Sequence, residues 1–138
     1  MERYDFDVSP KAPGLHDWNL AADALEQAFD AVVITNANLD PPGPVIVYVN
    51  RAFEVLTGYS AAEALGNTPR MLQGPRTDRR VLDDLREALS RGERWSGKAL
   101  NYRKDGSTFL LEWRIAPVLD RNGRLTHFIS FQRDAGAS

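Results

Sequence analysis

The sequence predicts an α+β fold: a five-stranded antiparallel sheet with a helical cap on one face and a further helix at the N-terminal end. Three observations carry this. Two short apolar runs, Ala31–Thr35 and Val45–Val49, come before the main block of helix signals. Helix caps and turn residues then fill Asn50–Gly92. Three longer alternating stretches follow, parted by Asp105-Gly106 and by Asp120–Gly123, which read as hairpin turns. Two strands, a block of helices and three strands in that order is an α+β layout rather than a βαβ alternation.

The chain has 138 residues, the length of one domain. Its 43% hydrophobic and 26% charged residues suit a soluble globular protein with a single core. A net charge of −2 with no basic stripe argues against nucleic acid as a partner. No apolar run approaches the roughly 18 residues of a membrane span. The N-terminal residues have no signal-peptide core, so the cytoplasm is the default compartment. Cysteine is absent, which removes disulfides, thiolate metal sites and cysteine nucleophiles together.

Residues 1–14 read as a flexible N-terminal arm, kept extended by Pro10 and Pro13. Residues 15–30 read as an amphipathic helix that Asp17 can cap. Trp18, Ala21, Ala22, Leu25, Ala28 and Phe29 fall at three- and four-residue steps along it. Its wide apolar face is expected to lie on the domain's own sheet, on a partner chain, or on both. The domain core is expected to span 31–134, with a short tail at 135–138.

Within the core, Asn36–Pro44 is a loop rich in Pro, Asn and Gly. Asn50 begins a helix that ends near Gly58, with Phe53 and Leu56 inward. Ser60 and Glu63 fit a capping box for a second short helix. Thr77 and Asp78 start the longest helix, which Gly92 closes. Its apolar stripe is Val81, Leu82, Leu85, Ala88 and Leu89. Arg86 lies about 40° outside the edge of that stripe, where a long side chain buries its stem and turns its head to a rim. The strands are expected at Trp95–Arg103, Ser107–Val118 (ending at Pro117) and Leu125–Gln132.

The most informative stretch is Gly66–Gly74. Thr68 is a good N-cap, and Pro69 falls at the first helical position, where its missing N–H costs nothing. A very short helix therefore starts at Pro69. Arg70 and Gln73 lie three apart on its one face, offering a guanidinium to a phosphate and an amide to a hydroxyl-bearing chain.

Side chains alternate faces along a strand. Gly97, Ala99 and Asn101 share one face, and the two small residues leave room for something flat. Phe109, Leu111, Trp113 and Ile115 share a face on the next strand. On the last, Phe128, Ser130 and Gln132 point one way, and Ile129 and Phe131 the other, toward a face that the N-terminal helix is expected to cover. Asn101 and Gln132 are then two amides in an apolar cavity. Each either bonds its local backbone or reads the polar edge of a flat ring with its donor and acceptor together.

Gly66–Pro75, with Thr77 and Asp78 behind it, resembles the signature of light-oxygen-voltage (LOV) domains, the flavin-binding branch of the PAS sensor family. Gly66, Arg70, Leu72, Gln73, Gly74 and Pro75 match that signature. Thr68 stands where the family has Asn, and Pro69 where it has the photoactive Cys. The resemblance continues through Asn101–Gly106 and Phe128–Gln132, and covers roughly residues 30–134.

The resemblance implies the PAS fold and a flavin cofactor, FMN ahead of FAD or riboflavin. It implies a phosphate clamp at Arg70 and Arg86. Thr68, Gln73, Asn101 and Gln132 would contact the flavin, and Leu111, Trp113 and Ile115 would pack on its ring. Leu111 replaces a second strand Asn of the family. With Pro69 in place of the nucleophile, sensing of blue light or of redox state would use electron transfer to the flavin. Trp95, Trp113, Tyr48 and Tyr102 are candidate donors, and core packing is the alternative reading of the same aromatics. A homodimer through the N-terminal helix or the sheet face is implied as well.

The alternative is a PAS domain that takes another small ligand or none and serves as a dimerising interaction module. Haem fits poorly: His16 precedes the first helix and His127 faces outward from the last strand. Enzymatic function has no support, since no paired carboxylates, Ser–His arrangement or metal-ligand spacing appears.

Overall fold

The computed structural model describes residues 15–136. The expected arm at 1–14 and the last two residues of the tail lie outside the described residues. The elements run α1 (Leu15–Glu26), β1 (Ala31–Asn36), β2 (Ile46–Val49), α2 (Arg51–Thr57) and α3 (Ala61–Ala64). A 3-10 turn at Pro69–Leu72 follows, then α4 (Arg79–Ser90), β3 (Trp95–Tyr102), β4 (Thr108–Leu119) and β5 (Leu125–Asp134).

All five strands form one antiparallel sheet in the order β2-β1-β5-β4-β3. The last strand is thus central and touches both halves of the molecule. β4 runs through Pro117 to Leu119 rather than stopping there. The proline is tolerated because β3 has ended by then: Trp95 pairs with Ile115, so Pro117 has only β5 beside it.

Local chemistry sets the helix ends. Ser60 and Glu63 form the reciprocal capping box. Gly58, at φ 81°, ends α2 in the left-handed conformation that a glycine adopts without steric cost. Asp78 caps α4 by accepting from the Arg80 amide at 2.9 Å.

Asn50 joins three elements. Its Oδ1 accepts from Val32 N at 2.8 Å and Phe53 N at 3.1 Å. Its Nδ2 donates to Leu25 O at 2.8 Å and Asp30 O at 3.0 Å. A fully buried amide is thereby satisfied at every position. The same side chain caps α2, pairs β1 and fastens the end of α1.

Two apolar clusters fill the inner face of the sheet. One joins Ala88 and Leu89 of α4 to Trp95, Phe109, Leu111, Trp113, Ile115 and Phe128. The other joins Ala31, Val33, Ile46 and Val49 to Phe53, Ala64 and Leu72. Phe53 is fully buried there, and its loss would cost about 3–5 kcal/mol.

The N-terminal helix departs from expectation. It ends at Glu26 rather than at residue 30, and its described side chains do not cover the sheet. Leu20 is 67% exposed and Phe29, beyond its end, is wholly exposed. Among the described residues, the end of the helix is fastened through Asn50 and through Tyr48, whose hydroxyl donates to Glu26 Oε1 at 3.1 Å. Burial, and then the bond to the Glu26 carboxylate, push Tyr48 up to about 12. The outer sheet face therefore keeps Ile129 and Phe131 only half-buried.

Candidate functional site

One cavity lies on the inner face of the sheet, where the two apolar clusters meet. Its volume is about 190 Å³. Val33 and Leu72 come to it from one cluster, and Leu89, Leu111, Trp113, Ile115 and Phe128 from the other. Of the residues singled out in the sequence, Pro69, Arg70, Gln73, Arg86, Asn101, Leu111, Trp113, Ile115 and Gln132 all line it. They come from the 3-10 turn, α4 and three adjacent strands.

Thr68 stands outside the lining. Its hydroxyl accepts from Arg70 N at 3.1 Å and so caps the 3-10 turn. Gly97 and Ala99 are not in the wall either. The space over Gly97 is taken by Trp95, whose Cζ2 would lie 2.5 Å from a Cβ added at that glycine. The room expected there for a flat group belongs to an indole.

The polar groups separate into two ends. At the inner end, Gln132 is 5% exposed and donates through Nε2 to Ser130 Oγ at 3.1 Å. Its Oε1 is buried with no partner, a situation that costs roughly 1–3 kcal/mol unless a ligand supplies a donor. Asn101 is 3% exposed, and its Nδ2 donates to Ala99 O at 3.2 Å, so half of that amide bonds its own strand.

At the mouth, Arg70 donates through Nη1 to Gly43 O at 2.5 Å and Arg86 donates through Nη1 to Leu39 O at 2.5 Å. Arg86 also meets Asp40 Oδ1 at 3.4 Å. The two arginines reach the same 39–43 loop from different elements, which brings their guanidinium groups to one rim.

Sequence reasoning missed several members. Arg79, at the first position of α4, adds a third guanidinium to the lining, and Asp83 adds a carboxylate one turn later. The i, i+4, i+7 spacing of Arg79, Asp83 and Arg86 was the available signal. Leu39 and Pro44 bring the loop into the wall, which no periodicity announces. Among the described residues, no group of three or more His, Asp or Glu could hold a metal ion.

An unpartnered buried acceptor, a second amide, apolar walls and a cationic rim suit a flat heteroaromatic ring carrying an anionic tail. Residues 30–136 match the family described as PAS domain. This chain is a PAS domain.

The likeness extends to named proteins. A blue-light-activated histidine kinase of Brucella anthropi is 42% identical over 111 residues, which is 80% of this chain and 22% of that protein. A light-oxygen-voltage domain solved in work on a flavin analogue is 38% identical with a TM-score of 0.77, covering 89% of each chain. An RNA-binding light-oxygen-voltage receptor is 34% identical with a TM-score of 0.81, covering 93% of this chain and 36% of that one. This PAS chain spans 12 to 22% of the length of curated relatives such as a nitrogen fixation regulatory protein of Klebsiella oxytoca and phototropin-1A of Oryza sativa.

The sequence contains no cysteine, and Pro69 stands in the cavity wall. The expectation that nucleic acid is excluded as a partner does not follow from its kinship, because one similar receptor binds RNA. Among the described residues, no helix is long and apolar enough to cross a membrane.

Proposed function

We propose that this domain is a flavin-binding sensory module that takes FMN and signals through one-electron chemistry on the ring rather than through a thiol adduct. The observation that carries the reading is the unpartnered Gln132 Oε1 in an apolar cavity whose rim gathers Arg70, Arg79 and Arg86. A flavin supplies blue absorption and redox chemistry when bound; the chain supplies its placement. Arg70 and Arg86 hold the phosphate, Gln73 meets the ribityl chain, and Asn101 and Gln132 meet the polar edge of the ring. Leu111, Trp113 and Ile115 pack on its faces and exclude water.

Gln132 has a particular property here. A hydroxyl both donates and accepts, so Ser130 satisfies either orientation of the amide. The amide thus has two settings, presenting an acceptor in one and a donor in the other, which suits a ring nitrogen that changes from acceptor to donor on reduction.

The test compares FMN with riboflavin, which lacks the phosphate. Charge-assisted hydrogen bonds contribute about 1.5–3 kcal/mol each. Arg70→Ala should therefore weaken FMN by tenfold or more and riboflavin little. Equal losses for the two ligands would remove the phosphate assignment.

A second reading has its own observation. Leu111 offers no polar contact, and Arg70 and Arg86 already bond backbone carbonyls. A PAS module that dimerises without a flavin accommodates both facts. It predicts that purified protein takes up no flavin of any kind.

A further inference from the structure

Trp95 and Trp113 are in contact, with ring centroids 4.9 Å apart and planes tilted by 59°. The cause lies in the sheet register. Gly97 pairs directly with Trp113 across β3 and β4, while Trp95 sits two residues away on the same face as Gly97. Because Gly97 has no side chain, the Trp95 indole folds across it and meets Trp113. Trp113 lines the cavity. Trp95 is 8% exposed, and its Nε1 donates to Asp84 Oδ2 at 2.8 Å. Asp84 lies on the exposed side of α4. A continuous path of two indoles and a carboxylate thus leads from the cavity wall to solvent.

We propose that Trp113, Trp95 and Asp84 form an electron and proton relay serving the cavity. The relay rests on the reading of the cavity as a flavin site, which names its oxidant by class: a photo-excited flavin. Trp113 gives one electron to that oxidant. Trp95 gives one electron to Trp113 and restores it. The Trp95 cation then releases its Nε1 proton to Asp84 Oδ2; one N–H bond breaks and one O–H bond forms. One electron has then entered the cavity, one proton has reached Asp84, and a neutral radical stands on Trp95. Two rings in contact pass an electron readily, and a base within hydrogen-bond reach takes the proton as positive charge develops. Loss of the proton stabilises the separated state, because the electron can return to Trp95 only once a proton does.

The test needs no flavin. The third tryptophan is replaced by Trp18→Phe, leaving Trp95 and Trp113 alone. The protein is oxidised by a flash-excited ruthenium trisbipyridyl complex with a sacrificial acceptor, and tryptophan radicals are followed by transient absorption. The indole cation and the neutral indolyl radical absorb at different wavelengths. The parent should convert cation to neutral radical. Asp84→Asn, at an exposed position that leaves packing intact, should slow that conversion about a hundredfold, the low end for a positioned base. Trp95→Phe should strand the oxidation on Trp113, away from the carboxylate, with loss of the neutral radical. Conversion at the parent rate in Asp84→Asn, or an unchanged neutral-radical yield in Trp95→Phe, would overturn the relay. Flavin uptake is scored separately by titration, so failure of the cofactor reading leaves the radical signals as they are.

Discussion

Gln132 donates to Ser130 Oγ at 3.1 Å and keeps its own carbonyl oxygen buried without a partner. The pair sits on β5, and Gln132 is the direct neighbour of Ala31 on β1. Asp30, one residue before, accepts from Asn50, which also holds the end of α1 through Leu25 O. A route from the cavity to α1 therefore runs through the start of β1. Among the described side chains of α1, none covers the outer sheet face, so the route is traced through β1 instead.

This route predicts that Gln132→Leu retains flavin while separating its redox state from α1. Amide hydrogen exchange over residues 17–29 is the measurement, made on oxidised and reduced protein. The parent should show a reduction-linked difference, and the Leu variant should lose it. An undiminished difference would show that the signal leaves by another path.

Asp40 competes with any phosphate for Arg86. Because this is an exposed pair, its effect is small. Asp40→Asn should tighten FMN about two- to fivefold and leave riboflavin unchanged, read by fluorescence titration. Tightening of both ligands alike would place the effect in the loop rather than at the phosphate.

Pro69 lines the cavity, and the motif resemblance equates its position with that of the photoactive thiol. Pro69→Cys should restore reversible bleaching of the blue band under illumination, while the parent shows none. A flavin-loaded variant that forms no adduct would mean that the ring does not lie over this position.

Asn50→Ala should destabilise the domain by about 2–4 kcal/mol, since buried partners in three elements lose their bonds at once. The urea midpoint measures this. The tether at Tyr48 adds a pH dependence. Its folded pKa is raised from 10.0 to about 12, so its contribution is complete below pH 10 and falls as pH rises toward 12. Tyr48→Phe should flatten the stability profile across that window.

Much of this was legible in the sequence because the signals were local. The Ser60–Glu63 box, the Asp105-Gly106 turn and the Thr68-Pro69 start each act within four residues, and alternation fixed which strand residues share a face. What was not legible depends on distant partners. Asn50 reads as a helix cap, and nothing beside it announces Leu25 or Val32. Gly97 reads as space, until the register sets Trp95 over it and Trp113 opposite. The arginines read as a phosphate clamp, and the loop carbonyls that hold them lie 27 and 47 residues away in the chain. The apolar stripe of α1 promised burial, but periodicity does not say against what.

The central claim is that the cavity holds a flavin. The visible absorption spectrum of the protein, incubated with FMN and freed of unbound ligand by gel filtration, tests it most directly. The account predicts one flavin per chain and a blue band with resolved vibronic structure, as expected for a ring fixed in an apolar pocket. A colourless protein after filtration would contradict it.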